Sequence, residues 1–283
     1  MRILILGSEG FLGSYICKEC NYLNLDFIPI NRNSWNELLK INLKVWLIKK
    51  NITDIIFCCG YSKRFNCQDI EGIKEFETLN YLTKNTTCKI IYLSSTLVYG
   101  FVDPNLSMVD ENTICKPTGA YGMYKRLMEK LVLENNNKNC VARLVSCIGK
   151  TKKSGLFENI EKQLMQNKNQ IKMDHGNTTR DYIWVGFASK LILQLAVNKK
   201  ANGIFNIGSG VGLKVSEIIE KLSFLYKKNI NFENIRFGEL MSEDPKKLII
   251  NVSKIKSILS KKEKLEIFES DQIKKYFEEF ETL

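Results

Sequence analysis

The sequence predicts an α/β protein built on a doubly wound parallel sheet, and two features lead there. An apolar strand over residues 1–6 runs directly into Gly7-Ser8-Glu9-Gly10-Phe11-Leu12-Gly13 and then into a helical stretch over 14–22. After it, short apolar runs alternate with segments of helical length, the signature of strands joined by helical crossovers. In such a sheet the ligand sits outside the carboxyl ends of the strands.

The first element carries the most chemistry. Gly7, Gly10 and Gly13 form G-x-x-G-x-x-G between a strand and a helix, the context in which this spacing is informative. Glycine lets the backbone turn tightly and approach a pyrophosphate, and the helix start, at Phe11 and Leu12, meets the phosphate charge with its N–H groups. The next strand, 26–30, ends at Asn31-Arg32-Asn33. A carboxylate there would accept ribose hydroxyls and select NAD, whereas arginine welcomes a 2′-phosphate. Asn31 beside Arg32 therefore points to NADP(H), with NAD(H) as the alternative.

Residues 35–50 read as helix and 52–59 as a buried strand, with Cys59 and Gly60 at its end as further cofactor contacts. Between Asn31 and Ile55 there is too little chain for a crossover helix and a full strand, so the third strand is expected to be short or degenerate. A helix follows over 70–80, then a strand over 89–93 that delivers Ser94 and Ser95. Tyr121 and Lys125 stand four apart at the start of a helix, on one face, so the ammonium can act on the phenol.

Composition limits the alternatives. The chain has 283 residues, enough for a full core, with 44% hydrophobic and 26% charged residues, as in a globular protein. No apolar run approaches the roughly 20 residues that span a bilayer, and residues 1–6 read as strand instead of signal peptide, so no membrane partner and a cytoplasmic location are expected. The formal charge of +11 comes from dispersed lysine doublets, without a basic block or an aromatic-interleaved RNA motif. That pattern argues against nucleic acid and for a basic surface that attracts small phosphorylated ligands. Nine scattered cysteines and a single histidine suit neither a disulfide framework nor a zinc site, so reduced thiols and no metal are expected.

The glycine motif, LSSTLVYG over 93–100 and P-x-x-x-Y-x-x-x-K (Pro117, Tyr121, Lys125), in that order, resemble the extended short-chain dehydrogenase/reductase family of nucleotide-sugar epimerases, dehydratases and reductases. Later stretches agree: Arg143-Leu-Val-Ser146, Thr179-Arg180-Asp181-Tyr182-Ile183-Trp184-Val185, Phe205-Asn206-Ile207-Gly208-Ser209-Gly210 and Asn251-Val252-Ser253-Lys254. The resemblance implies a Rossmann domain over 1–145, with a returning segment near 181–208, and a smaller C-terminal α/β substrate lobe mainly over 146–283. It also implies a homodimer and a nucleotide-diphosphate sugar as substrate.

On that resemblance, Tyr121 is the acid, Lys125 stabilises its phenolate and holds the nicotinamide ribose, and Ser95 binds the reacting sugar oxygen, with Thr96 as reserve donor. Arg180 binds the diphosphate, since guanidinium offers forked donors to phosphate. Ser146 stands where the family has asparagine. A second family arginine has no match near 241–244, where Met-Ser-Glu-Asp stands; Arg236 lies too early, and His175 reads as a loop residue. Thr96-Leu97 replaces the Asp-Glu pair of the 4,6-dehydratases, and no cysteine–histidine arrangement serves epimerisation at C3 or C5. The leading expectation is NADPH-dependent reduction of the C4 keto group of a nucleotide-linked 4-keto-6-deoxyhexose for a surface glycan. The alternative is an NAD-dependent 4-epimerase, and a third reading is a non-catalytic NAD(P)-binding regulator.

Overall fold

The computed structural model describes residues 1–39, 41–59, 70–103, 106–150, 155–166, 170–173, 177–230, 235–238 and 245–279, without the side chains of 70–72. Gly60, His175 and residues 241–244 lie outside the described residues. In chain order the first half comprises β1 (Ile3–Leu6), α1 (Phe11–Tyr22), β2 (Phe27–Ile30), α2 (Arg32–Leu38), α3 (Leu43–Lys49), β3 (Asp54–Phe57), α4 (Ile70–Asn85), β4 (Lys89–Ser95), α5 (Ala120–Asn135) and β5 (Cys140–Leu144). There follow β6 (Ser146–Ile148), α6 (Leu156–Met165), β7 (Ile171–Met173), β8 (Thr179–Trp184), α7 (Val185–Val197), β9 (Gly203–Ile207), β10 (Gly212–Lys214), α8 (Val215–Leu225), β11 (Ile235–Phe237), β12 (Lys247–Leu248), α9 (Ser253–Ser257), α10 (Lys261–Phe268) and α11 (Gln272–Glu278).

Six parallel strands form the main sheet in the order β2-β1-β3-β4-β5-β9. The fold is thus the doubly wound α/β sheet that the sequence predicts. Strand direction of travel reverses at β1, so the crevice outside the ends of β1 and β3 is the switch point. Among the described residues no strand lies outside β2; the short α2 and α3 occupy the chain between β2 and β3, which agrees with the missing room for a third strand.

The pleat explains how the sheet is covered. Ile3 and Ile5 of β1 join the core beneath α1 and α7, while Leu4 and Leu6 join the core beneath α4 and α5. Ile91 and Leu93 of β4 repeat the first choice, Ile90 and Tyr92 the second. Successive side chains of a strand point to opposite faces, so a strand buried on both sides must be apolar throughout. A smaller sheet, β10-β8-β12 with β6 beside β8, packs its own core from α6, α8 and α11, including Phe157, Ile160, Tyr182, Ile218, Leu222 and Tyr276. The return to the main sheet is made by α7 and β9, whereas β8 belongs to the smaller sheet. No helix among the described residues is long and apolar enough to cross a membrane.

Two buried charge networks lock α5 to the sheet. Glu129 is fully buried and receives both arms of the Arg143 fork, Nε at 2.9 Å and Nη2 at 2.8 Å, together with Ser94 Oγ at 2.7 Å. One turn earlier on the same face, Lys125 meets Glu75 of α4. Removing one member of a buried pair leaves a desolvated charge, at a cost of about 3–5 kcal/mol. Glu129→Leu is therefore expected to lower the urea unfolding free energy by that amount. Glu278→Gln, which breaks only the exposed contacts to Lys274 and Lys275, is expected to change it by less than about 1 kcal/mol.

Candidate active site

The glycine loop is shaped by what a side chain would strike. A Cβ at Gly13 would lie 2.1 Å from the Gly7 carbonyl oxygen, so α1 can begin this close to β1 only with glycine there. Gly7 itself has φ +84°, in the left-handed region, and a Cβ would press on the Cys58–Cys59 backbone at 3.0 Å. Gly10 caps α1 without any side-chain hydrogen bond, so the first N–H groups of the helix are not taken up by a capping side chain. Gly10, Phe11 and Leu12 line a cleft of about 680 Å³, within the range of ligand pockets. A narrow loop, backbone donors and a helix N-terminus are what a dinucleotide pyrophosphate requires, so the residues fit such a cofactor.

The same cleft is lined by Ser95, Thr96, Tyr121, Lys125, Ser146 and Arg180, six of the residues singled out from the sequence. Strand β4 delivers the serines and the local geometry separates them. Ser94 is buried and spends its hydroxyl on Glu129, while Ser95 is half-buried and its Oγ accepts from Leu97 N at 3.2 Å. Among the described residues the Ser95 hydroxyl has no bond in which it is the donor. Thr96 is buried, Tyr121 and Arg180 are half-buried, and Ser146 is exposed. Arg180 Nη1 donates to the Thr179 carbonyl at 3.1 Å.

Lys125 is anchored more fully than its spacing from Tyr121 implies. Its ammonium donates to Tyr92 Oη at 2.9 Å, Glu75 Oε1 at 3.2 Å and the Leu93 carbonyl at 3.3 Å, and it lies 5.9 Å from the centre of the Tyr121 ring. Tyr92 donates on to Glu75 at 3.3 Å, and burial with the nearby carboxylate pushes its phenol well up. Burial and the Glu75 carboxylate also push Tyr124 up, so both tyrosines act as neutral donors. Glu75 was not singled out from the sequence. Its signal is there, however: it precedes Leu79 and Leu82 by four and seven residues, which places a charge on the buried stripe of α4.

Other expected contacts fall differently. Gly7 and Gly13 shape the loop and do not line the cleft; Cys59 stands behind it, its thiol pushed up to about 12 by burial and the Glu75 charge. The neighbouring Cys58 does line the cleft, and burial pushes its thiol well up, so it is not a nucleophile at neutral pH. Asn31 is the N-cap of α2: its Oδ1 accepts from Ser34 N at 2.9 Å, and its Nδ2 donates to Glu9 Oε1 at 2.8 Å. Arg32 is the first residue of α2, and its charge acts on the Cys59 thiol.

Asp181 joins two of the later motifs. Its Oδ1 accepts from Ser209 N at 2.9 Å and Ser209 Oγ at 2.7 Å, and its Oδ2 accepts from Gly210 N at 2.8 Å. Burial raises its carboxyl to about 6 against the opposing pull of these bonds. This clamp holds β8, and with it Arg180, against the Gly208–Ser209–Gly210 turn. In Asp181→Asn one oxygen becomes an NH₂ facing a backbone donor, so the variant is expected to lose about 1–3 kcal/mol of unfolding free energy, read in a denaturant titration.

Comparison with known proteins follows the same lines. The model of the NAD dependent epimerase/dehydratase family matches residues 3–208. A Methanocaldococcus jannaschii protein with the provisional name UDP-glucose 4-epimerase is 26% identical, over 90% of this chain and 92% of that protein. The UDP-glucose 4-epimerase of Lactobacillus helveticus is 22% identical over 94% and 93%. The UDP-glucuronic acid 4-epimerase from Bacillus cereus, solved in complex with UDP-glucuronic acid and NAD, has a TM-score of 0.75 at 18% identity, covering 99% of this chain and 100% of that one. With its sheet order, its glycine loop and the matched residues 3–208, this chain belongs to the NAD dependent epimerase/dehydratase family, the extended short-chain dehydrogenase/reductase group that its motifs resemble.

Proposed function

We propose that this chain is a nucleotide-sugar 4-epimerase that uses NAD and acts on a UDP-hexose. The observation that carries the reading is the presence of the glycine loop, Ser95, Tyr121, Lys125 and Arg180 around one cleft. The relatives named as UDP-sugar 4-epimerases turn the balance from the reductase that the sequence led us to expect. In this reading residues 1–145, with α7 and β9, hold the cofactor, and most of 146–283 holds the sugar nucleotide.

NAD supplies a hydride acceptor for C4 of the sugar. Ser95 donates to the C4 oxygen and orients it, and Tyr121 takes the hydroxyl proton as the C4–H bond breaks. Once the 4-keto sugar had turned its other face, Tyr121 would return the proton to the oxygen as hydride from the bound cofactor returned to C4. Atoms and electrons balance over the cycle with no net cofactor consumed. Lys125, fixed by Glu75, Tyr92 and the Leu93 carbonyl, places a positive charge beside Tyr121, where it stabilises the phenolate. Arg180 and the backbone N–H groups at the start of α6, where Gly155 and Leu156 also line the cleft, receive the nucleotide diphosphate end.

The second reading, an NADPH-dependent reduction of a nucleotide-linked 4-keto-6-deoxyhexose, draws on Arg32 at the start of α2. A panel of UDP-hexoses and nucleotide 4-keto-6-deoxysugars separates the two: interconversion without net change in cofactor absorbance supports the epimerase, and stoichiometric loss of NADPH supports the reductase. Under either reading Tyr121→Phe is expected to lower turnover at least about 100-fold, as befits loss of a general acid–base, with dinucleotide affinity held within about threefold. Normal turnover in that variant contradicts the mechanism.

We also propose a homodimer formed by α4 and α5. These two helices pack side by side and leave Ile73, Phe76, Met123 and Leu127 exposed, an apolar stripe on neighbouring helices. Leu127→Asp is expected to convert a dimer to a monomer in light scattering after gel filtration; a wild-type monomer at micromolar concentration contradicts the proposal.

A further inference from the structure

Among the described residues, the end of β2, the corner where a dinucleotide's adenosine ribose is read, carries Asn31-Arg32-Asn33 and no carboxylate of its own. Asn31 stands there instead, its Oδ1 accepting from the cap of α2 and its Nδ2 donating to Glu9. We infer that Glu9, from within the glycine loop, supplies the missing ribose-reading carboxylate and makes the cleft select NAD(H) over NADP(H). The inference rests on the cofactor reading proposed above.

Three observations carry it. First, the loop is tied to β2 by its backbone: Gly7 N and Ser8 N both donate to the Ile30 carbonyl, at 2.8 and 3.1 Å. The position of Glu9 at that corner is therefore set by main chain, not by a wandering side chain. Second, the Asn31 amide holds Glu9 Oε1 at 2.8 Å, which orients the carboxylate beside the end of β2. An ionised carboxylate has about four acceptor sites, so one bond from Asn31 leaves capacity for the two ribose hydroxyls. Third, Glu9 lies between Gly7 and Gly10, in the loop that receives the pyrophosphate, so a negative group attached to the same ribose comes close to it.

The chemistry separates the two cofactors. A 2′-hydroxyl donates to a carboxylate, whereas a 2′-phosphate is mostly dianionic at neutral pH and repels it. Arg32 opposes this effect, since its guanidinium would welcome the phosphate. Its charge also acts on Cys59 at the end of β3, on the other side of β1 from β2. Glu9 and Arg32 thus compete at one corner, and the tethered carboxylate decides the sign.

Calorimetric titration of the full chain with NAD⁺ and with NADP⁺ tests this without reference to turnover. The wild type is expected to bind NAD⁺ at least tenfold more tightly than NADP⁺. Glu9→Gln, an exposed and conservative change, is expected to bring the two within about threefold, chiefly by tightening NADP⁺, and Glu9→Ala to do the same. An unchanged ratio in both variants overturns the inference and leaves the NAD reading intact; equal or tighter binding of NADP⁺ by the wild type overturns the inference and moves the function toward the NADPH-dependent reading, with the dinucleotide site itself retained. Binding of neither dinucleotide by a wild-type chain with a cooperative thermal transition overturns the cofactor reading and this inference with it.

Discussion

The position of one helix fixes the chemistry. Helix α5 carries Tyr121 at its first turn, and its inward stripe holds two charges, Lys125 and Glu129, at positions where an ordinary helix would bury aliphatic side chains. Lys125 reaches the Leu93 carbonyl and Tyr92 on β4 and Glu75 on α4; Glu129 gathers Ser94 from β4 and Arg143 from β5. Buried ion pairs contribute little net stability compared with an apolar core, but they tolerate no slip, because a displaced partner leaves a desolvated charge. The helix is therefore held in one register against the end of β4, and the relative position of Ser95 and Tyr121 follows from that register.

The other parts of the cleft are set by equally local devices that happen to converge. Close approach of α1 to β1 requires glycine at 13, and the resulting loop places backbone donors at the switch point. Asp181 clamps β8 to the turn after β9, which holds Arg180 on the opposite wall. The start of α1, the Tyr121–Lys125 pair and Arg180 are thereby presented to one cleft, although they arise from elements that are distant in sequence. Function in this family depends on such sites grafted on a shared sheet, so the choice among epimerase and reductase is a property of the cleft and not of the fold.

Much of this arrangement was legible in the sequence where a feature is local. The glycine spacing, the serine pair at a strand end and the four-residue step from Tyr121 to Lys125 each express a backbone rule, and the structure brings the glycine-loop, serine and Tyr–Lys elements to one cleft. What escaped depends on partners far along the chain. Glu75 and Glu129 stand on the inward stripes of α4 and α5, but their partners on β4 and β5 lie 17 and 14 residues away, beyond the reach of any local pattern. Asn31, expected from the sequence as a cofactor contact, also caps α2, and its bond to Glu9 spans 22 residues. The smaller sheet is assembled from pieces as short as two and three residues, β12 and β6 among them, too brief for any periodicity to mark.

In the proposed epimerase, hydride leaves and returns to the same sugar carbon while Tyr121 moves a proton on the attached oxygen. The direct measurement uses a UDP-hexose deuterated at C4, incubated with the purified protein, with the epimeric product analysed by NMR and mass spectrometry. Retention of deuterium at C4 of the inverted sugar, with none released to solvent, is the predicted result. Inversion with protium at C4, or deuterium lost to water, would contradict it.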